Sequence, residues 1–117
     1  MLPPDLHRPF ASTKDRSRAA QQLLDQQQLI EDLQRLAALP LDQWPPEQTG
    51  RLPPSLSGDR EHVAERLARW CALFADELRQ VGEARNAVAH GHLSDVELRT
   101  AVYLAGRLLD SIWPQRP

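Results

Sequence analysis

Leucine, isoleucine and alanine return at near-helical intervals early in the chain. Leu23, Ile30, Leu33 and Ala37 share one face, Leu29 and Leu36 widen it, and glutamines fill much of the rest. The pattern predicts an amphipathic helix from about Lys14 to Leu39. The run Gln21 to Gln28 keeps the helical period through its leucines and holds few strand formers, so it reads as part of that helix and not as a low-complexity tract. A stronger pattern steps by three and four through Val63, Leu67, Trp70, Phe74, Leu78 and Val81. With Asp59 placed to cap its start, it predicts one continuous helix from about Arg60 to Ala89, about eight turns long. Gly91 is placed to end that helix in the left-handed conformation. Ser94 and Glu97 then stand at capping-box spacing, opening a last helix whose apolar face is Leu98, Val102, Ala105, Leu109 and Ile112.

The prolines divide the chain into these helical windows. Three lie in the first nine residues, five between Pro40 and Pro54, and two at Pro114 and Pro117. Residues 40–58 read as an extended connector, pinned across the helices by Trp44, Leu52 and Leu56, because each residue before a proline is pushed away from helix. No segment alternates with period two. The expected fold is therefore all-α: a small helical bundle of three principal helices with a C-terminal helical hairpin, in one domain over 14–113, flanked by an extended segment 1–13 and a tail 114–117. Apolar stripes on both the first and the last helix exceed what an isolated hairpin covers, which leads us to expect a homodimer, with a monomeric three-helix bundle as the alternative.

Composition limits the function classes. The chain has 117 residues, 14 basic and 16 acidic, for a formal charge of −2. There is no broad positive field to gather nucleic acid non-specifically, so any RNA contact must be local. Of the basic residues 13 are arginine and only Lys14 is lysine, which supplies planar forks suited to phosphate or carboxylate. The one cysteine, Cys71, forms no internal disulfide and reads as a small core residue; a reducing, cytoplasmic setting fits. No run approaches a membrane span, no apolar leader opens the chain, and no cofactor is expected.

The chemistry-bearing stretch is Glu83-Ala84-Arg85-Asn86-Ala87-Val88-Ala89-His90-Gly91-His92. Asn86 and His90 are i and i+4 on one helix face, while Arg85 sits about 140° around and about 7.5 Å along. A guanidinium, a carboxamide and an imidazole at a helix end suit RNA cleavage without a metal. Histidine supplies a base for the 2′-hydroxyl near neutral pH, and arginine supplies charge for the pentacoordinate phosphate. The product would be a 2′,3′-cyclic phosphate. Each residue also has a plainer reading: Arg85 as a surface partner of Glu83 or Glu77, His90 as a C-terminal cap, Asn86 as a structural hydrogen-bonding group. His90, His92 and Cys71 do not have the spacing of a metal site. Trp70 and Phe74 read as core, and Arg99, Arg107 and His92 as possible RNA contacts or simply as part of a solvated face.

Arg85-Asn86-Ala87-Val88-Ala89-His90 resembles the R-x4-6-H signature of HEPN domains in its R-N-x-x-A-H form. The upstream Trp70, Phe74, Glu77, Leu78 and Arg79, with Leu93 through Arg99 and Arg107 through Leu109, most resemble the Swt1-like branch. The resemblance covers about residues 63–112. It implies a helical bundle that pairs as a homodimer, two copies of the motif meeting in one cleft, and in many members a metal-independent endoribonuclease. Carried over by position, Arg85 and His90 would be the catalytic pair and Asn86 a supporting residue. Such domains often serve in toxin-antitoxin, phage-defence or RNA-processing systems, some with a cognate antitoxin or other partner protein. The alternative is a non-catalytic helical dimerisation or interaction module, antitoxin-like or scaffolding, in which the same polar cluster holds the assembly together.

Overall fold

A computed structural model describes residues 4–44 and 60–113. Four α-helices run through them: α1 (Thr13–Ala38), α2 (Arg60–Leu73), α3 (Ala75–Ala89) and α4 (Asp95–Asp110). The fold is all-α. Asp59, Leu52, Leu56, most of the proline-rich connector and the tail 114–117 lie outside the described residues.

The first helix keeps close to its expected bounds because both ends are capped. The Ser12 hydroxyl accepts the Asp15 N–H at 3.1 Å, and the Leu39 N–H closes the far end on Leu36 O. α4 begins with the reciprocal capping box expected of Ser94 and Glu97. The connector starts differently from expectation: Leu41–Gln43 forms a turn of 3-10 helix. It brings Trp44 into the core, where the indole N–H donates to Leu39 O at 3.2 Å.

The expected single helix over 60–89 is instead two, broken at Phe74, whose φ of −111° and ψ of 26° lie in the bridge region. The hydrogen-bond ladder continues on either side, Phe74 N–H to Trp70 O at 3.0 Å and Leu78 N–H to Phe74 O at 2.8 Å. The cause is tertiary. α2 rests on α1 and the Leu41–Gln43 turn, whereas α3 rests on α4 and α1, and one residue absorbs the change of direction. Trp70 fixes the end of α2, its indole N–H donating to Leu108 O at 3.1 Å and Ser111 Oγ at 2.9 Å.

α1 and α4 lie parallel and share the most extensive interface among the described helices, joined near their starts by Arg16 and Asp95 and at mid-length by Gln26 and Val102. Leu23, Ile30, Leu98, Ala105 and Leu109 are fully buried there within one chain. This corrects the argument that uncovered stripes on the first and last helices need a second copy: each stripe covers the other. The glutamine-rich remainder of α1 is corrected too, since Gln26 and Gln27 are buried and their side-chain oxygens meet no protein donor. No described helix is long and apolar enough to cross a membrane.

Candidate functional site

α3 ends in a tight closure. Gly91 adopts a φ of 72°, open to glycine at little cost, and the chain folds back so that the His92 N–H donates to Ala87 O at 2.9 Å and the Gly91 N–H to Val88 O at 3.2 Å. This is the Schellman arrangement. Together with the His90 N–H it satisfies the Asn86, Ala87 and Val88 carbonyls from the backbone, so none of these needs the imidazole of His90 as a cap. The closure presents His90 and His92 side by side in solvent, ring centroids 6.2 Å apart and planes 32° apart.

Arg85 and Asn86 are also exposed. The ion pairing expected of Arg85 is pre-empted: Glu83 is held by Arg79 at 2.9 Å, and Glu77, eight residues back, is about 12 Å away along the helix. Among the described residues, the side chains of Arg85, Asn86 and His90 form no hydrogen bond or ion pair with one another or with anything else. Asn86 and His90 lie one above the other on the outward face, and Arg85 lies around the helix from them. One copy of the chain therefore presents the three groups without converging them.

A clasp from the N-terminal segment holds the turn beside them. The Asp95 carboxylate accepts the Phe10 N–H at 3.0 Å and the Arg16 guanidinium at 2.5 Å. The same guanidinium donates to Leu93 O. The Phe10 amide above all, then Arg16, holds the Asp95 carboxyl below its ordinary range. The Ser94 hydroxyl and N–H do the same for Glu97. Arg99 belongs to this clasp: its guanidinium donates to Arg8 O at 2.8 Å and lies 4.2 Å over the Phe10 ring. Arg107 is exposed near the other end of α4, about 18 Å along the helix from Asp95, away from His90. Sequence reasoning missed Phe10, Arg16 and Asp95. The only signal for them was an arginine in the first turn of α1, which nothing local distinguishes from a surface charge.

Burial pushes the half-buried Cys71 thiol up, consistent with a packing role. Among the described residues no three histidine, cysteine or carboxylate side chains gather as a metal site would require. Between α3 and α4 runs an open groove of ≈ 380 Å³ with Ala84 and Ala87 on one wall and Val96 and Leu104 on the other. No family model, no curated protein and no solved structure matches the chain.

Proposed function

We propose that the chain is a metal-independent endoribonuclease of the HEPN type, working as a homodimer in the cytoplasm and cutting RNA to a 2′,3′-cyclic phosphate. The observation that carries this reading is that Arg85 and His90 stand exposed at the end of α3 with no side-chain hydrogen bond or ion pair among the described residues. Their ordinary employments are filled by other groups, Glu83 by Arg79 and the helix end by the Schellman closure. Exposed polar groups without internal partners are what a phosphate-binding and proton-transferring site requires.

In this reading His90 removes the proton from a ribose 2′-hydroxyl as its oxygen attacks phosphorus. The bond from phosphorus to the 5′-oxygen breaks, and the leaving oxygen takes a proton from the partner copy's imidazole. Arg85 meets the charge that grows on the phosphate oxygens, and Asn86 orients the imidazole or a phosphate oxygen. The separation of Arg85 from His90 on one helix is answered by the second copy. Toxin-antitoxin, phage-defence or RNA-processing roles, with a cognate antitoxin or other partner protein, belong to the same reading.

The test is incubation of mixed single-stranded and structured RNA with the protein in excess EDTA, with product ends read by mass spectrometry. Cyclic-phosphate and 5′-hydroxyl ends from wild type, absent with His90→Ala, support it. No cleavage by a demonstrated dimer overturns it. The second reading, a non-catalytic interaction module, draws on the open groove between α3 and α4. It predicts that no RNA is cleaved and that Val96→Asp, in the groove lining, weakens association.

A further inference from the structure

The closure after α3 fixes two histidines at once. His90 and His92 flank Gly91, whose positive φ turns the chain, and both of their N–H groups bond back to α3, reaching Ala87 O at 3.2 Å and 2.9 Å. On the far side the Arg16 guanidinium holds Leu93 O. On a continuous helix, side chains two residues apart point about 200° from one another. Here the left-handed glycine brings both to one side, with ring centres 6.2 Å apart and planes inclined at 32°. Both imidazoles are exposed, and neither has a side-chain hydrogen bond or ion pair among the described residues.

That spacing suits an in-line displacement at phosphorus. The attacking 2′-oxygen and the leaving 5′-oxygen lie on opposite sides of the phosphorus, about 4 Å apart, and each proton-transfer group stands about 3 Å from its own oxygen. Two imidazoles with centres about 4–9 Å apart meet both conditions. Histidine is also the side chain that serves as base and as acid near neutral pH. The other groups of this turn have no proton to give. Arg85 keeps its own, Asn86 has none of suitable acidity, and Asp95 and Glu97 are held ionised by Phe10 and Arg16 and by Ser94. His92 is the group beside His90 that can supply one.

We propose that His92 is the general acid of this site, in place of the partner copy's imidazole. As His90 takes the proton of the ribose 2′-hydroxyl and the 2′-oxygen bonds to phosphorus, the bond from phosphorus to the 5′-oxygen breaks, and the imidazolium of His92 gives that oxygen its proton. Base and acid then stand on one copy, and the second copy is left to bring Arg85 to the phosphate. Turnover ends with His90 protonated and His92 neutral, and exchange with water restores both. His92 has this role only if the ribonuclease reading holds.

The experiment maps one cleavage position in an RNA oligonucleotide, with the full chain in excess EDTA. It then compares that oligonucleotide with one carrying sulfur in place of the bridging 5′-oxygen at the same position. A thiol titrates at about 8.5, so sulfur leaves as a thiolate without an acid, whereas oxygen needs the proton. His92→Ala lowers the ratio of oxygen to sulfur cleavage by about 10²-fold, and His92→Gln does the same. His90→Ala slows both substrates and leaves the ratio near that of wild type. Both rates come from one preparation, so any misfolded fraction cancels in the ratio. An unchanged ratio in the two His92 variants, whether the rates hold or fall together, overturns the role of His92 and leaves the ribonuclease reading standing. A ratio that falls with His90→Ala instead also overturns it, returning the acid to the partner copy's imidazole. No cleavage of the oxygen oligonucleotide by wild type overturns the ribonuclease reading and the role of His92 with it.

Discussion

Replacing Gln27 with methionine should stabilise the protein. Gln27 is 5% exposed, and its side-chain oxygen is buried with no protein donor. Its amide nitrogen has only a long bond of 3.4 Å to the Glu31 carboxylate. A buried polar atom left unpaired costs about 1–3 kcal/mol, and the long bond to Glu31 returns less than about 1 kcal/mol. Methionine has similar length and flexibility and nearly the same helix propensity, so neither packing nor helix formation should offset the gain. The net is about 1–2 kcal/mol, which in a domain of this size raises Tm by about 4–10 °C. Urea unfolding followed by far-UV circular dichroism measures it, with an unchanged slope confirming that the same surface is exposed. Gln28→Met, at an exposed neighbour, should change little and serves as the control. A midpoint for Gln27→Met at or below that of wild type would refute the reasoning, because it would mean that the amide oxygen is satisfied in the folded chain.

Gly82→Ala should stabilise α3 by about 0.5–1 kcal/mol in the same urea assay. A Cβ there meets only the Gln27 amide nitrogen at 3.6 Å, an ordinary contact. Gly91→Ala should destabilise by about 1 kcal/mol, although space is open around it, because the penalty is the positive φ, and Gly91→Asn should recover part of the loss. The depressed Asp95 carboxyl contributes stability that is present above its ordinary value of 3.8 and lost as pH falls through its lower folded value. Acid titration of unfolding should therefore show a shallower acid limb for Asp95→Asn than for wild type, with the variant already less stable at neutral pH.

How far the sequence could be read depended on whether a feature was local. α1 was legible because its apolar period lies in its own residues, the start of α4 because Ser94 and Glu97 cap their own helix, and the end of α3 because Gly91 carries the left-handed turn in its own residue type. The break at Phe74 was not, since the apolar period from Val63 to Val81 runs through it without a slip and no proline or glycine marks it. Gln26 and Gln27 looked like solvent-facing residues until α3 and α4 were seen to close over them. The motif stretch was legible as residue types at a spacing. That its groups are free of internal partners was not, because it depends on Arg79 taking Glu83 and on backbone bonds closing the helix end. The clasp of Phe10, Arg16 and Asp95 joins residues about eighty positions apart, beyond any local pattern.

If the proposed function holds, Arg85 and His90 serve chemistry and not the fold. Its most direct test measures, on the same preparations of Arg85→Ala and His90→Ala, the rate of RNA cleavage in EDTA and the thermal midpoint. Cleavage should fall by about 10²-fold or more while Tm moves by no more than about 2 °C, since neither side chain has a hydrogen bond or ion pair in the fold to lose. A large fall in Tm with either variant, or cleavage that persists in both, would contradict it.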